Sequence, residues 1–260
     1  MILVFDVGNS ETTIGLFSGE TVKSHWRVTT DVARTHDEVG ILLRSLLAAD
    51  DIALSSLTGA AIASVVPPAT GPLVEACARW LGVRPIVVDG RSALPIRLAV
   101  DEPLTVGADR IVNTLAASRL YGVDAVVVDL GTATTFDCIT ADGVFLGGVI
   151  APGVRTSADT LVRKTSKLPA TDLVAPSRVI GKRTEECIRA GVMFGQAEAM
   201  DGIVRRIRAE WPGGGRPLCV ATGGLAELFK PLCSSFDRVE PYLTLQGLRL
   251  AHTLLSATST

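Results

Sequence analysis

The 260-residue sequence is poor in the side chains from which many active sites are built. Its three histidines, His25, His36 and His252, are too far apart to suggest a histidine metal site or a nucleophilic triad. The five cysteines (Cys77, Cys138, Cys187, Cys219 and Cys233) are odd in number, dispersed and without a C-x-x-C pair. Neither a disulfide framework nor a zinc site is expected from them, and buried thiols in a reducing compartment are the simpler reading. No charge of one sign dominates: 25 basic residues face 27 acidic ones and the net charge is -2. The basic residues are scattered, so nucleic acid and anionic membrane surfaces are not expected partners. No apolar run approaches the roughly 18 residues of a membrane-spanning helix, and no basic stretch precedes the short apolar run at the N-terminus. The expected compartment is the cytoplasm. Two nucleotide signatures are also missing, G-x-x-x-x-G-K-[ST] and a G-x-G-x-x-G after a strand, which excludes the P-loop and Rossmann readings.

What is present is an ordinary globular composition, 47% hydrophobic and 20% charged, at a length suited to one large domain or two small ones. Short apolar strands alternate with amphipathic helices. "ILVF" and "TTIGLF" flank an opening turn as a hairpin, with "SHWRVTT" as a third strand. "THDEVGILLRSLLAA" opens with Thr35 followed by Glu38 three positions on, the signature of a capping box at a helix start. "GAAIASVVP" and "PIVVDG" read as strands, and "ATGPLVEACARWLG" and "DRIVNTLAASRLYG" as helices.

At "DAVVVDLGTATTFDCIT" the N-terminal pattern starts again. One apolar strand ends in Asp6-Val7-Gly8-Asn9, the other in Asp129-Leu130-Gly131-Thr132, and hydroxyl residues and more strand-like sequence follow each. A single D-x-G turn is weak, because Asp and Gly favour hairpins for conformational reasons alone. Two, each opening half of the chain, suggest an internal duplication. In such a turn glycine lets a phosphate approach, backbone N–H groups and hydroxyls bind its oxygens, and the aspartate can hold a bridging cation. "PLCVATGGLAELF" adds a strand ending in Thr222-Gly223-Gly224 before a helix, a place for an adenosine to lie against backbone.

The paired turns, the late T-G-G and the α/β halves resemble the superfamily of actin, sugar kinases and acetate kinase. Three further segments, "VGADRIVNTLAA", "GGVIAPGV" and "IGKRTEECIRAGVMFG", look like type III pantothenate kinase, in order and over nearly the whole chain. The resemblance implies two ribonuclease-H-like domains, 1–117 and 118–260, with ATP clamped between them. It implies a cytoplasmic homodimer that phosphorylates pantothenate to 4′-phosphopantothenate at the start of coenzyme A synthesis. Magnesium would accompany ATP, and a monovalent cation, potassium or ammonium, would complete the phosphate site.

The same resemblance distributes roles. Asp6, Val7, Gly8, Asn9, Ser10, Glu11, Thr12 and Thr13 of the first turn, with Thr132 of the second, would bind ATP. Asp129 would hold the monovalent cation, and Asp6 would face magnesium through phosphate. Val100, Gly107, Ala108, Asp109, Arg110 and Thr184 would line the pantothenate site, Arg110 on its carboxylate and Thr184 reaching from a partner subunit. Val100 stands where the family often has a tyrosine, so a contact from that ring is absent or replaced. Asp109 would be the catalytic base; read locally, it is equally a helix N-cap, as is Thr184. Two other functions fit parts of the pattern: an inactive family member acting as an accessory transcriptional regulator, and another small-molecule kinase or phosphatase of the superfamily.

Overall fold

The structure is a computed structural model that describes residues 1–257. It separates into two compact α/β units, Met1–Leu120 with the last helix, and Tyr121–Tyr242. The first contains β1 (Ile2–Val7), β2 (Glu11–Ser18), β3 (Thr21–Thr29), α1 (His36–Ala49), β4 (Gly59–Ser64), α2 (Pro67–Ala76), β5 (Pro85–Val88), the two-residue β6 (Arg97–Leu98) and α3 (Ala108–Tyr121). The second contains β7 (Ala125–Leu130), β8 (Ala133–Ile139), β9 (Val144–Pro152), α4 (Val154–Lys164), α5 (Thr184–Glu210), β10 (Leu218–Thr222), the short α6 (Ala226–Phe229) and β11 (Arg238–Val239). Helix α7 (Leu243–Ala257) closes the described chain.

The duplication read from the sequence is present in the sheets. The first unit's five-stranded sheet runs β3-β2-β1-β4-β5, and five of the six strands of the other sheet run β9-β8-β7-β10-β11. In each, an antiparallel meander of three strands is extended by two parallel ones. Corresponding strands therefore carry the two D-x-G turns at their C-terminal ends. β1 has neighbours on both sides and is covered on both faces, which is why Leu3, Val4 and Phe5 form a continuous apolar run. β3 lies at an edge and alternates half-buried with exposed residues.

On one face of the first sheet, Leu3, Phe5, Ile14 and Ile62 pack with Leu43 and Leu47 of α1 and Leu73 of α2. Helix α1 begins as its sequence predicts: Thr35 Oγ1 accepts the Glu38 N–H at 3.3 Å, and Glu38 Oε2 accepts the Thr35 N–H at 2.8 Å. In the second unit, Val126, Val128 and Phe136 pack with Val192, Met193, Met200 and Val204 of α5.

Helix α7 packs on β1, β4 and β5, so it belongs to the first unit although it ends the chain. These compact units group the last helix with residues 1–120, while the expected domains 1–117 and 118–260 follow chain order; residues 258–260 lie outside the described residues. The cause is the other face of the first sheet. The buried Val4 points there beside Gly15, against the Leu245 side chain, and Leu243, Leu248 and Ala251 of α7 are buried as well. Gly247 lets α7 meet α3, since a Cβ there would overlap the Val112 carbonyl oxygen, and Thr244 Oγ1 donates to Asn113 Oδ1 at 2.9 Å beside it.

Candidate active site

In the first unit the opening turn lies between β1 and β2. Asp6 is half-buried, paired to Thr13 across the hairpin and to Ala63 of β4. The Gly8 N–H donates to the Glu11 carbonyl at 3.1 Å. A Cβ on Gly8 would lie 3.0 Å from that carbonyl oxygen, so the turn itself needs a small residue, independently of any ligand. Asn9, Ser10 and Glu11 are exposed. Val7 and Thr12 are buried, at 2% and 8% exposure, so Val7 can offer a ligand only its backbone.

The "GADR" segment arrives at the same end of this unit. Val65 joins the two: its N–H donates to the Val7 carbonyl at 3.1 Å, and its Cγ1 would stand 3.4 Å from a Cβ placed on Gly107. Gly107 immediately precedes α3, and its carbonyl accepts the Ile111 N–H at 3.2 Å. Asp109 is the second helical residue and Gly107 is the residue before the helix, so the local N-cap reading of Asp109 does not hold. Its Oδ1 accepts the Arg110 N–H at 2.8 Å, one of the helix's otherwise unpaired N–H groups. The carboxylate folds back over Gly107, whose missing side chain makes the room: a Cβ there would overlap Asp109 Oδ1. Burial pushes the Asp109 carboxyl above the usual range, opposed by the Arg110 N–H and guanidinium. Ala108 is buried, Arg110 is half-buried, and Val100 is half-buried in the loop leading to this segment.

The second turn, between β7 and β8, is one residue shorter: the Gly131 N–H donates to the Ala133 carbonyl at 3.1 Å. Asp129 sits between Thr135 of β8 and Thr222 of β10. Two glycines close around it. Gly223, with φ at +87°, comes so near that a Cβ would overlap Asp129 Oδ1, which places the T-G-G segment beside this turn. Gly153, before α4, packs where a Cβ would overlap the Thr132 carbonyl oxygen and lie 2.5 Å from that of Gly131. The Thr132 carbonyl accepts the Gly153 N–H at 3.2 Å and Thr156 Oγ1–H at 2.7 Å. The sequence offered Gly153 only as part of a family-like string, and neither Val65 nor Thr156 carried any signal in it.

Thr184 is exposed and is the first residue of α5, with Arg183 preceding the helix and no side-chain capping bond. The local N-cap reading of Thr184 therefore fails. Glu186 reaches back beyond the helix start and accepts the Lys182 N–H at 2.8 Å, which holds its carboxyl below the usual range. Gly181 fits tightly beneath this turn, where a Cβ would stand 2.7 Å from the Cys187 nitrogen.

Each unit thus presents a D-x-G turn at the ends of its central strands, and the first adds a half-buried carboxylate at a helix start. The family model of type III pantothenate kinase matches residues 2–206. The chain belongs to this family. A type III pantothenate kinase from Moorella thermoacetica is 46% identical over 254 residues, covering 97% of this chain and 98% of the relative. Another, from Acidothermus cellulolyticus, is 47% identical over 253 residues, covering 96% and 97%. Solved structures are similar at lower identity. A protein assigned to the Baf family of transcriptional activators from Campylobacter jejuni has a TM-score of 0.60 at 15% identity, covering 98% of this chain and 99% of that one. A protein assigned as an N-acetylglucosamine kinase from Porphyromonas gingivalis has a TM-score of 0.51 at 14% identity, covering 97% and 98%. At such identities these likenesses speak to fold alone, and the fold is the two-domain actin-like ATPase fold.

Proposed function

We propose that this chain transfers the γ-phosphoryl group of ATP to the primary hydroxyl of pantothenate, giving 4′-phosphopantothenate, the first committed chemistry of coenzyme A synthesis. Beside the family membership, one observation supports this reading most: a half-buried carboxylate is fixed at the start of α3, joined through Val65 to a turn suited to phosphate. A transcriptional role would not call for such a group.

In this reading Asp109 is the base. It need not strip the alcohol in advance, because in a loose phosphoryl-transfer transition state the proton leaves late and the carboxylate chiefly aims the nucleophile. Its raised proton affinity suits that late acceptance. Arg110 binds the pantothenate carboxylate, with Gly107, Ala108 and Val100 lining the same site, and its planar guanidinium can make two parallel bonds. The first turn, from Asp6 to Thr13, and Thr132 bind ATP. Val100 takes the place of a ring, so the pantothenate is held here by aliphatic contact.

Magnesium and a monovalent cation fit the groups present. The donors at both turns are carboxylate and carbonyl oxygens, which suit hard cations. A magnesium ion of this kind arrives on phosphates and keeps several of its waters, so one carboxylate suffices for it. Asp6 would face that ion through phosphate, and Asp129 would hold potassium or ammonium. Such cations supply neutralisation of phosphate charge. Because Asp129 is confined by Gly223 and a sodium ion prefers a smaller shell, turnover is expected to rise with potassium or ammonium and to be poorly supported by sodium at matched ionic strength. Equal rates in the two salts would remove this role from Asp129.

The protein acts in this account as a cytoplasmic homodimer, without nucleic acid or membrane partners. The exposed Val179 and Ile180, at 68% and 83% exposure, lie just before Thr184, which supports a second copy covering this segment while Thr184 serves the partner's pantothenate site. The scattered charge supports the absence of polyanion partners. No described helix is long and apolar enough to cross a membrane. The test of the reaction is release of ADP from ATP with and without pantothenate in potassium buffer.

A further inference from the structure

The residue after β3, Thr30, ties together three positions of the first turn. Its N–H donates to the Ser10 carbonyl at 3.1 Å, its Oγ1–H donates to the Gly8 carbonyl at 2.7 Å, and its Oγ1 lies 2.8 Å from Thr12 Oγ1. A hydroxyl has one proton, and that of Thr30 is committed to a carbonyl that can only accept. Thr12 is therefore the donor to Thr30, and the bonds run in one direction, Thr12 to Thr30 to Gly8. Chained in this way, each bond polarises the next.

The consequence lies in the peptide planes. A trans peptide carries its C=O and N–H antiparallel, and no cis bond occurs among the described residues. Holding the Gly8 and Ser10 carbonyls toward Thr30 turns the N–H groups of Asn9 and Glu11 away from it. Asn9 and Glu11 are exposed, whereas Thr12 is buried. We infer that Thr30 is a positioning residue for the nucleotide site: it presets the two peptide units of the first turn so that their N–H groups meet phosphate oxygens without reorganisation. The inference rests on the reading of this turn as an ATP site. It concerns a residue that acts through the carbonyls of the turn and lies well beyond the D-x-G motif in sequence.

Valine at this position has the shape of threonine without the hydroxyl. It can be accommodated, because Thr30 borders a cavity of about 50 Å³ whose wall includes Val7, Ile14, Val28 and Leu43. Calorimetric titration with MgATP is the test, with the pantothenate KM as a second readout. Thr30→Val is expected to raise the Kd for MgATP about tenfold, through one lost bond and one stranded hydroxyl, with the pantothenate KM within about twofold of the parent. Thr30→Ser keeps the proton and is expected to restore the Kd to within about twofold. Thr12→Val, which withdraws the buried ordering hydroxyl and leaves the Thr12 backbone in place for ATP, is expected to weaken MgATP by a smaller factor, about threefold. An unchanged Kd in Thr30→Val overturns the inference, as does a Thr30→Ser protein as weak as the valine variant, since packing and not the hydroxyl would then be responsible. If Thr30→Val does not fold, the serine and Thr12→Val results decide, and an unchanged Kd in Thr12→Val counts against it. A parent protein that binds MgATP but does not turn over pantothenate would overturn the proposed reaction and leave the Kd comparison valid.

Discussion

Asp109→Asn is expected to lower kcat for pantothenate phosphorylation at least about a hundredfold, while MgATP affinity and melting temperature stay near those of the parent. The amide keeps an oxygen for the Arg110 N–H but cannot accept the departing hydroxyl proton. Stability has a pH signature of its own. Burial raises the Asp109 carboxyl above its ordinary 3.8, so the stability linked to its protonation is fully present below 3.8 and is lost as pH rises through the raised folded value. At neutral pH the ionised group is therefore a net cost to the folded state that asparagine does not carry. The variant should melt no lower than the parent at neutral pH, and any advantage should vanish in acid. In the parent, the acid limb of kcat/KM should fall above the ordinary carboxylate range, and that limb should be missing from the residual activity of the variant. A variant that keeps most of its kcat would return Asp109 to the role of a helix-end acceptor.

Gly107→Ala is the second large effect, and it acts through Asp109 without touching it chemically. The added methyl would overlap Asp109 Oδ1, with Val65 Cγ1 3.4 Å from it, so the carboxylate must leave its place. A displacement of about 1 Å at a reacting group costs on the order of 10²-fold in rate. Gly107 does not have a left-handed backbone, so alanine brings no φ strain and the fold should survive. Because both substitutions act on the same carboxylate, their effects should not add: the double variant should be about as slow as Asp109→Asn alone. Additive losses would show that Gly107 matters for some other reason.

The fold was legible wherever a local rule decided the outcome. The Thr35 and Glu38 capping box, the opening hairpin and the repeated D-x-G turn all follow from residue types at short spacing. The repeat was legible to the level of the strand and no further. That five strands run in the same order in both sheets depends on pairing between distant strands. The return of α7 to the first unit was hidden for the same reason. Its apolar residues show a face that needs burial, but only the tertiary structure shows that β1, β4 and α3 supply the surface, through Gly247 and Thr244.

The candidate site divides along similar lines. Asp6, Asp129 and Asp109 stand in motifs and could be named from them. The contacts that hold them could not. Gly223 against Asp129, Gly153 against Thr132, and Val65 between Val7 and Gly107 all join residues far apart in the chain through the absence of a Cβ or a single backbone bond. A glycine read from sequence suggests a turn or a ligand. In Gly107 and Gly153 it serves instead to admit a neighbouring carboxylate or carbonyl, and Gly223 combines that service with a φ that side chains rarely adopt.

The central claim is that this protein phosphorylates the primary hydroxyl of pantothenate. Phosphorus NMR of a reaction containing the purified protein, MgATP, potassium and pantothenate measures that step directly. A new phosphomonoester resonance is expected that grows in step with ADP, is coupled to the methylene protons of the primary alcohol, and is absent without pantothenate. ADP and inorganic phosphate appearing at the same rate whether or not pantothenate is present, with no phosphomonoester formed, would contradict it.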